Sequence, residues 1–175
     1  MSANGITAAS VDGLLDGLRA QGIAAGVSLW TPADRITCWT PPQEQEPAFL
    51  AYSITKTFIA CLALQLAEAG RLDLDAPVNR VWQGWPLPDA VTTRRLLQHT
   101  AGVTDYGGLA QYHTDVRQRP QHPWSVDRFI ETTLAQAWSV PKPARFAYSN
   151  PGYMVLRLML ESVGGQPWQD RKSVV

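Results

Sequence analysis

Between Ile54 and Ala69 apolar residues return every third or fourth position, at Phe58, Ile59, Leu62, Ala63, Leu66 and Ala67, and Gly70 follows directly. This is the period of one helix face closed by a residue that commonly stops helices, so the pattern predicts a helix from Ile54 to about Ala69. A fold for this chain has to bury that face. At its mouth, in Ala51-Tyr52-Ser53-Ile54-Thr55-Lys56, a serine and a lysine stand three residues apart, which puts both on one side of the first turn.

The pairing has a chemical reading. A serine hydroxyl is a weak nucleophile until a neighbouring base removes its proton, and a lysine amine can be that base when burial lowers its pKa. The free N–H groups and positive dipole end of the helix would lie beside an oxygen gaining negative charge. Lysine is also sparingly used: Lys56, Lys142 and Lys172 are the three in a chain that otherwise relies on arginine, which cannot give up its proton to act as a base. Ser53 and Lys56 are therefore read as nucleophile and base. Ser139-Val140-Pro141-Lys142 repeats the spacing, but Pro141 and Pro143 oppose a helix there, so that pair would not share a face.

At 175 residues the chain has the length of one ordinary domain, and 45% hydrophobic against 17% charged residues is the balance of a folded globular protein. Its formal net charge is zero and no basic block stands out, so nucleic acid or an anionic membrane surface is not expected as a partner. A small neutral or zwitterionic substrate fits better. The longest apolar stretches are broken by Gln65, Glu68 and Arg157, so no membrane span is expected. Met1 to Ser10 lacks a basic segment followed by an apolar core, and the chain as written is expected in the cytoplasm. His99, His113 and His122 have no ligand spacing, which predicts neither a metal site nor a cofactor held by one. Cys61 falls in mid-helix, so a disulfide with Cys38 is not expected.

In chain order, Leu14, Leu15 and Leu18 predict a helix over Val11 to Ala20 with Ser10 as its cap and Gly22 as its end. Ile23 to Thr31 and Arg35 to Thr40 are rich in strand-forming residues around a Thr-Pro-Ala-Asp turn, a β-hairpin pattern. Asp73 and Asp75 are read as turn or capping residues beside Pro77. Val91 to Gly102 predicts a short helix capped by threonine and ended by Gly102, with His99 favoured near its end by the dipole. Thr104 to Pro123 reads as a polar loop, and Ser125 to Gln136 as a helix burying Phe129, Ile130 and Leu134.

The second informative stretch is Phe146-Ala147-Tyr148-Ser149-Asn150, followed by a helix headed by Pro151 that stops at Gly164-Gly165. Tyr148 and Asn150 fall in a loop entering that helix, where side chains can project into a cleft. Alone, the pattern fits a packed tyrosine and a capping asparagine equally well.

Together and in this order, Ser-Ile-Thr-Lys at 53–56 and Tyr-Ser-Asn at 148–150 resemble the serine β-lactamase and penicillin-binding protein superfamily, on its branch of class C β-lactamases, D-alanyl-D-alanine carboxypeptidases and esterases. Leu66 to Val78, Leu96 to Gly102 (L-L-Q-H-T-A-G) and Phe146 to Leu156 carry the same flavour, so the resemblance covers most of the chain. It implies an α+β fold of β-lactamase/transpeptidase type, a helical region with an antiparallel sheet of which the N-terminal strands are present. It implies Ser53 as the acylated nucleophile, Lys56 as its base, Tyr148 as a proton carrier and Asn150 as a hydrogen-bond partner of the substrate amide. Each role suits its group: a phenol beside an ammonium ionises more easily, and an amide both donates and accepts.

The family's third element, Lys-Thr-Gly or a His-x-Gly relative, does not follow Asn150. The expectation is therefore a single incomplete domain over 1–175, with an N-terminal helix and hairpin in 1–50 and a mainly helical region in 51–175, and self-association through an unpaired sheet edge. Family members are often periplasmic or secreted. The implied function is a serine hydrolase working through an acyl-enzyme on a β-lactam, D-amino-acid peptide or ester. The alternative is a truncated, catalytically silent relative that binds a ligand or partner.

Overall fold

The structure, a computed structural model, describes residues 6–32, 34–42, 47–135 and 145–167. The Ser139–Lys142 pair and the Gln169–Val175 run lie outside the described residues. The chain divides into two compact units, Met1–Ala51 and Tyr52–Val175.

The first unit opens with α1 (Ala8–Asp12), a 3-10 turn (Gly13–Leu15) and α2 (Asp16–Ala20), where one unbroken helix was expected. Its cap is Thr7 instead of Ser10. The Thr7 side chain accepts from the Ser10 N–H at 3.2 Å while Ser10 Oγ accepts from the Thr7 N–H at 3.0 Å, a reciprocal box that satisfies two otherwise free donors. Gly22 ends α2, and the Ile23 N–H is spent on the Leu18 carbonyl. That is why β1 (Ala25–Trp30) starts two residues later than the strand pattern. It pairs antiparallel with β2 (Arg35–Thr40), Ala25 opposite Thr40 through Trp30 opposite Arg35.

The second unit is built on helices. A 3-10 turn (Tyr52–Ile54) runs into α3 (Thr55–Glu68), followed by α4 (Val78–Val81) and α5 (Thr93–Leu97). Then come a 3-10 turn (Tyr106–Gly108), α6 (Ala110–Gln118), α7 (Val126–Leu134) and α8 (Asn150–Gly164). At the centre is α8, packed against α3, α4, α5 and α7. Its Val155, Leu156, Met159 and Leu160 are fully buried, and α3 meets them with Ile59, Leu62, Ala63 and Leu66. Burying each such side chain contributes about 1.5–3 kcal/mol, which makes this helix contact the main support of the unit.

Three expectations need correction. The stretch read as a loop after Thr104 contains α6, whose buried Asp115 receives hydrogen bonds from Gln111, Trp124 and Arg128. A helix anchored by a buried carboxylate carries little apolar periodicity, so the pattern hid it. The helix after Thr92 ends at Leu97, well short of Gly102, because His99 itself turns left-handed with φ 56°. Asp75 caps no turn: it takes both the Nε and Nη2 protons of Arg94, at 2.7 and 2.8 Å, and it is Asp73 that accepts from the Asp75 N–H.

Candidate active site

Ser53 lies in the 3-10 turn ahead of α3, one step earlier than the first helical turn. Tyr52 before it is left-handed, φ 43°, a conformation that costs a bulky residue about 1–3 kcal/mol and that collects at functional sites. The bend leaves Ser53 exposed at the end of α3 where N–H groups lack intrahelical acceptors. Lys56 follows one turn later, half-buried.

The opposing side chains come from the start of α8. Ser149, buried, is the cap: its Oγ accepts from the Gly152 N–H at 3.1 Å. Asn150 is thereby released from capping and becomes the first helical residue. Both its backbone N–H and its Nδ2 donate to Asp105 Oδ1, at 2.8 and 3.1 Å, while the other Asp105 oxygen accepts from the Gly107 N–H at 3.0 Å. A carboxylate at the positive end of α8 is favourably placed. It also fixes the amide orientation, since with Nδ2 committed to Asp105 the Oδ1 faces Lys56.

The four residues singled out in the sequence meet here. Ser53 Oγ lies 2.7 Å from Tyr148 Oη and accepts from Lys56 Nζ at 3.3 Å. Lys56 Nζ also donates to Asn150 Oδ1 at 2.7 Å and stands 4.9 Å from the Tyr148 ring centre and 5.7 Å from that of Tyr153. A cation against two aromatic faces is attracted by both. Burial raises the Tyr148 phenol, but the neighbouring Lys56 ammonium and the hydrogen bond with Ser53 outweigh it, which lowers Tyr148 from the ordinary phenol value. Tyr106 and Tyr153 go the other way, pushed up first by burial. The three phenols are thus driven apart by their surroundings, Tyr148 down and the other two up.

Three contributors were missed or undervalued in the sequence. Asp105 has no motif to announce it. Tyr153 is buried and donates to the Leu97 carbonyl at 2.9 Å, tying α8 to α5. His99 was read as a helix-end residue, yet its Nδ1 accepts from the Ser149 N–H at 3.1 Å and its carbonyl from the Ala147 N–H at 2.8 Å. An open cleft of about 220 Å³, lined by Tyr52, Lys56, Tyr106, Asn150, Tyr153 and Arg157, adjoins the group. Among the described residues no His, Cys, Asp or Glu cluster could hold a metal ion, and no helix is long and apolar enough to cross a membrane.

Comparison with known proteins places this geometry in context. Penicillin-binding protein 4 of Amycolatopsis lactamdurans is 29% identical over 130 residues, which is 71% of this chain and 32% of that protein. The D-stereospecific amidohydrolase from Streptomyces sp. superposes with a TM-score of 0.76 at 24% identity, over 94% of this chain and 52% of that one. The D-amino acid amidase from Ochrobactrum anthropi SV3 gives 0.71 at 23% identity, over 93% and 50%. Both structural likenesses are likenesses of fold, α+β of the β-lactamase/transpeptidase type. The chain spans about a third of the curated relative and about half of the two solved chains. A sequence profile described as Beta-lactamase matches residues 12–171, nearly the whole length, and on that ground the chain belongs to the Beta-lactamase family, a family of serine hydrolases.

Proposed function

We propose that this chain carries the acyl-transfer centre of a serine hydrolase that attacks an amide-type or ester carbonyl through Ser53. The observation that carries the reading is the 2.7 Å contact between Ser53 Oγ and a Tyr148 phenol whose ionisation is eased by Lys56. Tyr148, as phenolate, takes the Ser53 proton while Oγ bonds to the carbonyl carbon. The tetrahedral oxygen gains the charge, and the N-terminal N–H groups of α3 are the nearby backbone donors. Collapse breaks the bond to the leaving nitrogen or oxygen, Tyr148 returns the proton to it, and an ester on Ser53 remains. Water then repeats the sequence with the same phenol as base.

Lys56, expected as the base, acts with Tyr148 as one unit: its charge holds the phenolate, and its hydrogen bond to Ser53 Oγ keeps the nucleophile in line. Asn150, held by Asp105, supplies the amide that meets the substrate's peptide-like group. The penicillin-binding relative and the D-amino acid amidase neighbour support a small substrate, a β-lactam, a D-amino-acid peptide or amide, or an ester.

The test is covalent. After treatment with a fluorophosphonate or a fluorescent penicillin, peptide mass spectrometry is expected to find the adduct on Ser53 and none in Ser53→Ala. An adduct on Ser139 or Ser149 with Ser53 untouched would refute the assignment, and no adduct with either probe would favour a catalytically silent relative.

A further inference from the structure

Among the described residues, three helices end in the same hydrogen-bonded motif. After α2 the Gly22 N–H returns to Arg19 and the Ile23 N–H to Leu18; after α3 the Gly70 N–H returns to Ala67 and the Arg71 N–H to Leu66. After α5 the equivalent pair is the His99 N–H to Leu96 and the Thr100 N–H to Arg95. In this motif the residue at the turn is left-handed, and glycine fills it at no steric cost. Gly22 and Gly70 both have φ 68°, but α5 puts a histidine there at φ 56°. A side chain is therefore present where the backbone alone would prefer none.

What that side chain does is visible. The ring is stacked 4.6 Å from the Tyr148 ring on a 32° tilt and 4.9 Å from the Tyr153 ring, with Phe146 edge-on at 5.6 Å. Its Nδ1 receives the Ser149 N–H and its carbonyl receives the Ala147 N–H, so one residue holds the backbone on both sides of Tyr148. An Nδ1 that accepts places the proton on Nε2. Protonation would turn Nδ1 into a donor facing another donor.

We propose that His99 is a positioning residue for the candidate site: its neutral ring, in the Nε2–H form, fixes the Tyr148–Ser149–Asn150 corner so that the Tyr148 hydroxyl meets Ser53 and Lys56. The groups facing the ring are Lys56 from α3, Asp105 from the following loop, and Tyr148 and Tyr153 from the corner and α8. Burial first, then the Lys56 charge, holds its imidazole below the usual histidine value, with Asp105 opposing. The brace is thus complete at neutral pH and lost as pH falls through that lowered value.

The functional part of this inference rests on the reading of Ser53 and Tyr148 above; the positioning part does not. The experiment follows Tyr148 by NMR with ¹³Cζ-labelled tyrosine, together with the rate of fluorophosphonate labelling at Ser53, in the wild type, His99→Gly and His99→Asn. Glycine suits the backbone, so His99→Gly should fold while its Tyr148 titration moves up toward the ordinary phenol value and Ser53 labelling slows by up to about 10²-fold, the scale of a 1 Å misplacement. Asparagine tolerates the left-handed turn and offers Oδ1 in place of Nδ1, so His99→Asn should lie between. An unchanged Tyr148 titration in His99→Gly, or a wild-type ring whose ¹⁵N shifts place the proton on Nδ1, would overturn the proposal. A shifted titration in a protein whose Ser53 is never labelled would uphold the positioning role and count against the nucleophile reading instead.

Discussion

Replacing Tyr148 with phenylalanine is expected to slow acylation of Ser53 by about 10²–10⁴-fold, the range over which a positioned general base contributes. The ring and its packing against His99 survive the change, and only the hydroxyl at 2.7 Å from Ser53 Oγ is lost. Lys56→Arg tests the partner in the same assay. The ammonium is a compact donor that reaches Ser53 Oγ at 3.3 Å and Asn150 Oδ1 at 2.7 Å from one atom. A flat guanidinium cannot reproduce those two directions from one atom. Most acylation should therefore disappear although the charge is kept. Stopped-flow labelling of both variants, with circular dichroism to confirm folding, gives the comparison. Near-normal rates for Tyr148→Phe with a collapse for Lys56→Arg would make the lysine the base and the phenol a bystander.

The second large effect is on stability. Leu156 is fully buried on the face of α8 that meets the other helices, and truncation there leaves a cavity that the surrounding helices fill only in part. Leu156→Ala is expected to cost about 2–5 kcal/mol. Against a typical domain stability of about 5–15 kcal/mol, that is a large share of what holds the unit together. Since α8 also carries Asn150 at its first residue, the loss should reach the site. Urea unfolding followed by tryptophan fluorescence measures it, and a midpoint unchanged from wild type would show that α8 is not the support described.

The helix that frames the site was legible because its signals agree. The apolar period from Phe58 to Ala67 and the stop at Gly70 gave α3 to within a residue at each end, and Pro151 with Gly165 gave α8. The encounter of Tyr148 with Ser53, 95 positions apart, is a tertiary fact that no local period encodes; it became an expectation only through the family resemblance. Where the sequence misled, polar groups were doing work that periodicity does not register. Asp115 organises α6 by hydrogen bonds, Asp105 holds Asn150 from a loop, and Ser149 takes the cap that Asn150 could have filled. His99 misled in another way: Gly102 advertised a helix end a few residues downstream, and a histidine in a left-handed turn has no signature in composition. Both strands of the hairpin were visible, since strand-forming residues on either side of a Thr-Pro-Ala-Asp turn are a local signal, but the first began late because Ile23 closes α2.

The most direct test of the account is the pH dependence of Ser53 acylation set beside the titration of Tyr148 itself. If the phenol takes the serine proton, the acylation rate rises as Tyr148 ionises and levels off once it has done so, and the midpoint lies below the ordinary phenol pKa of about 10. The ¹³Cζ shift of Tyr148 gives that midpoint independently. Coincidence of the two curves, with the rising limb absent in Tyr148→Phe, is the predicted result. A rate that climbs at one pH while Tyr148 titrates at another, or a Tyr148 that stays un-ionised up to and beyond the ordinary phenol value, would contradict it.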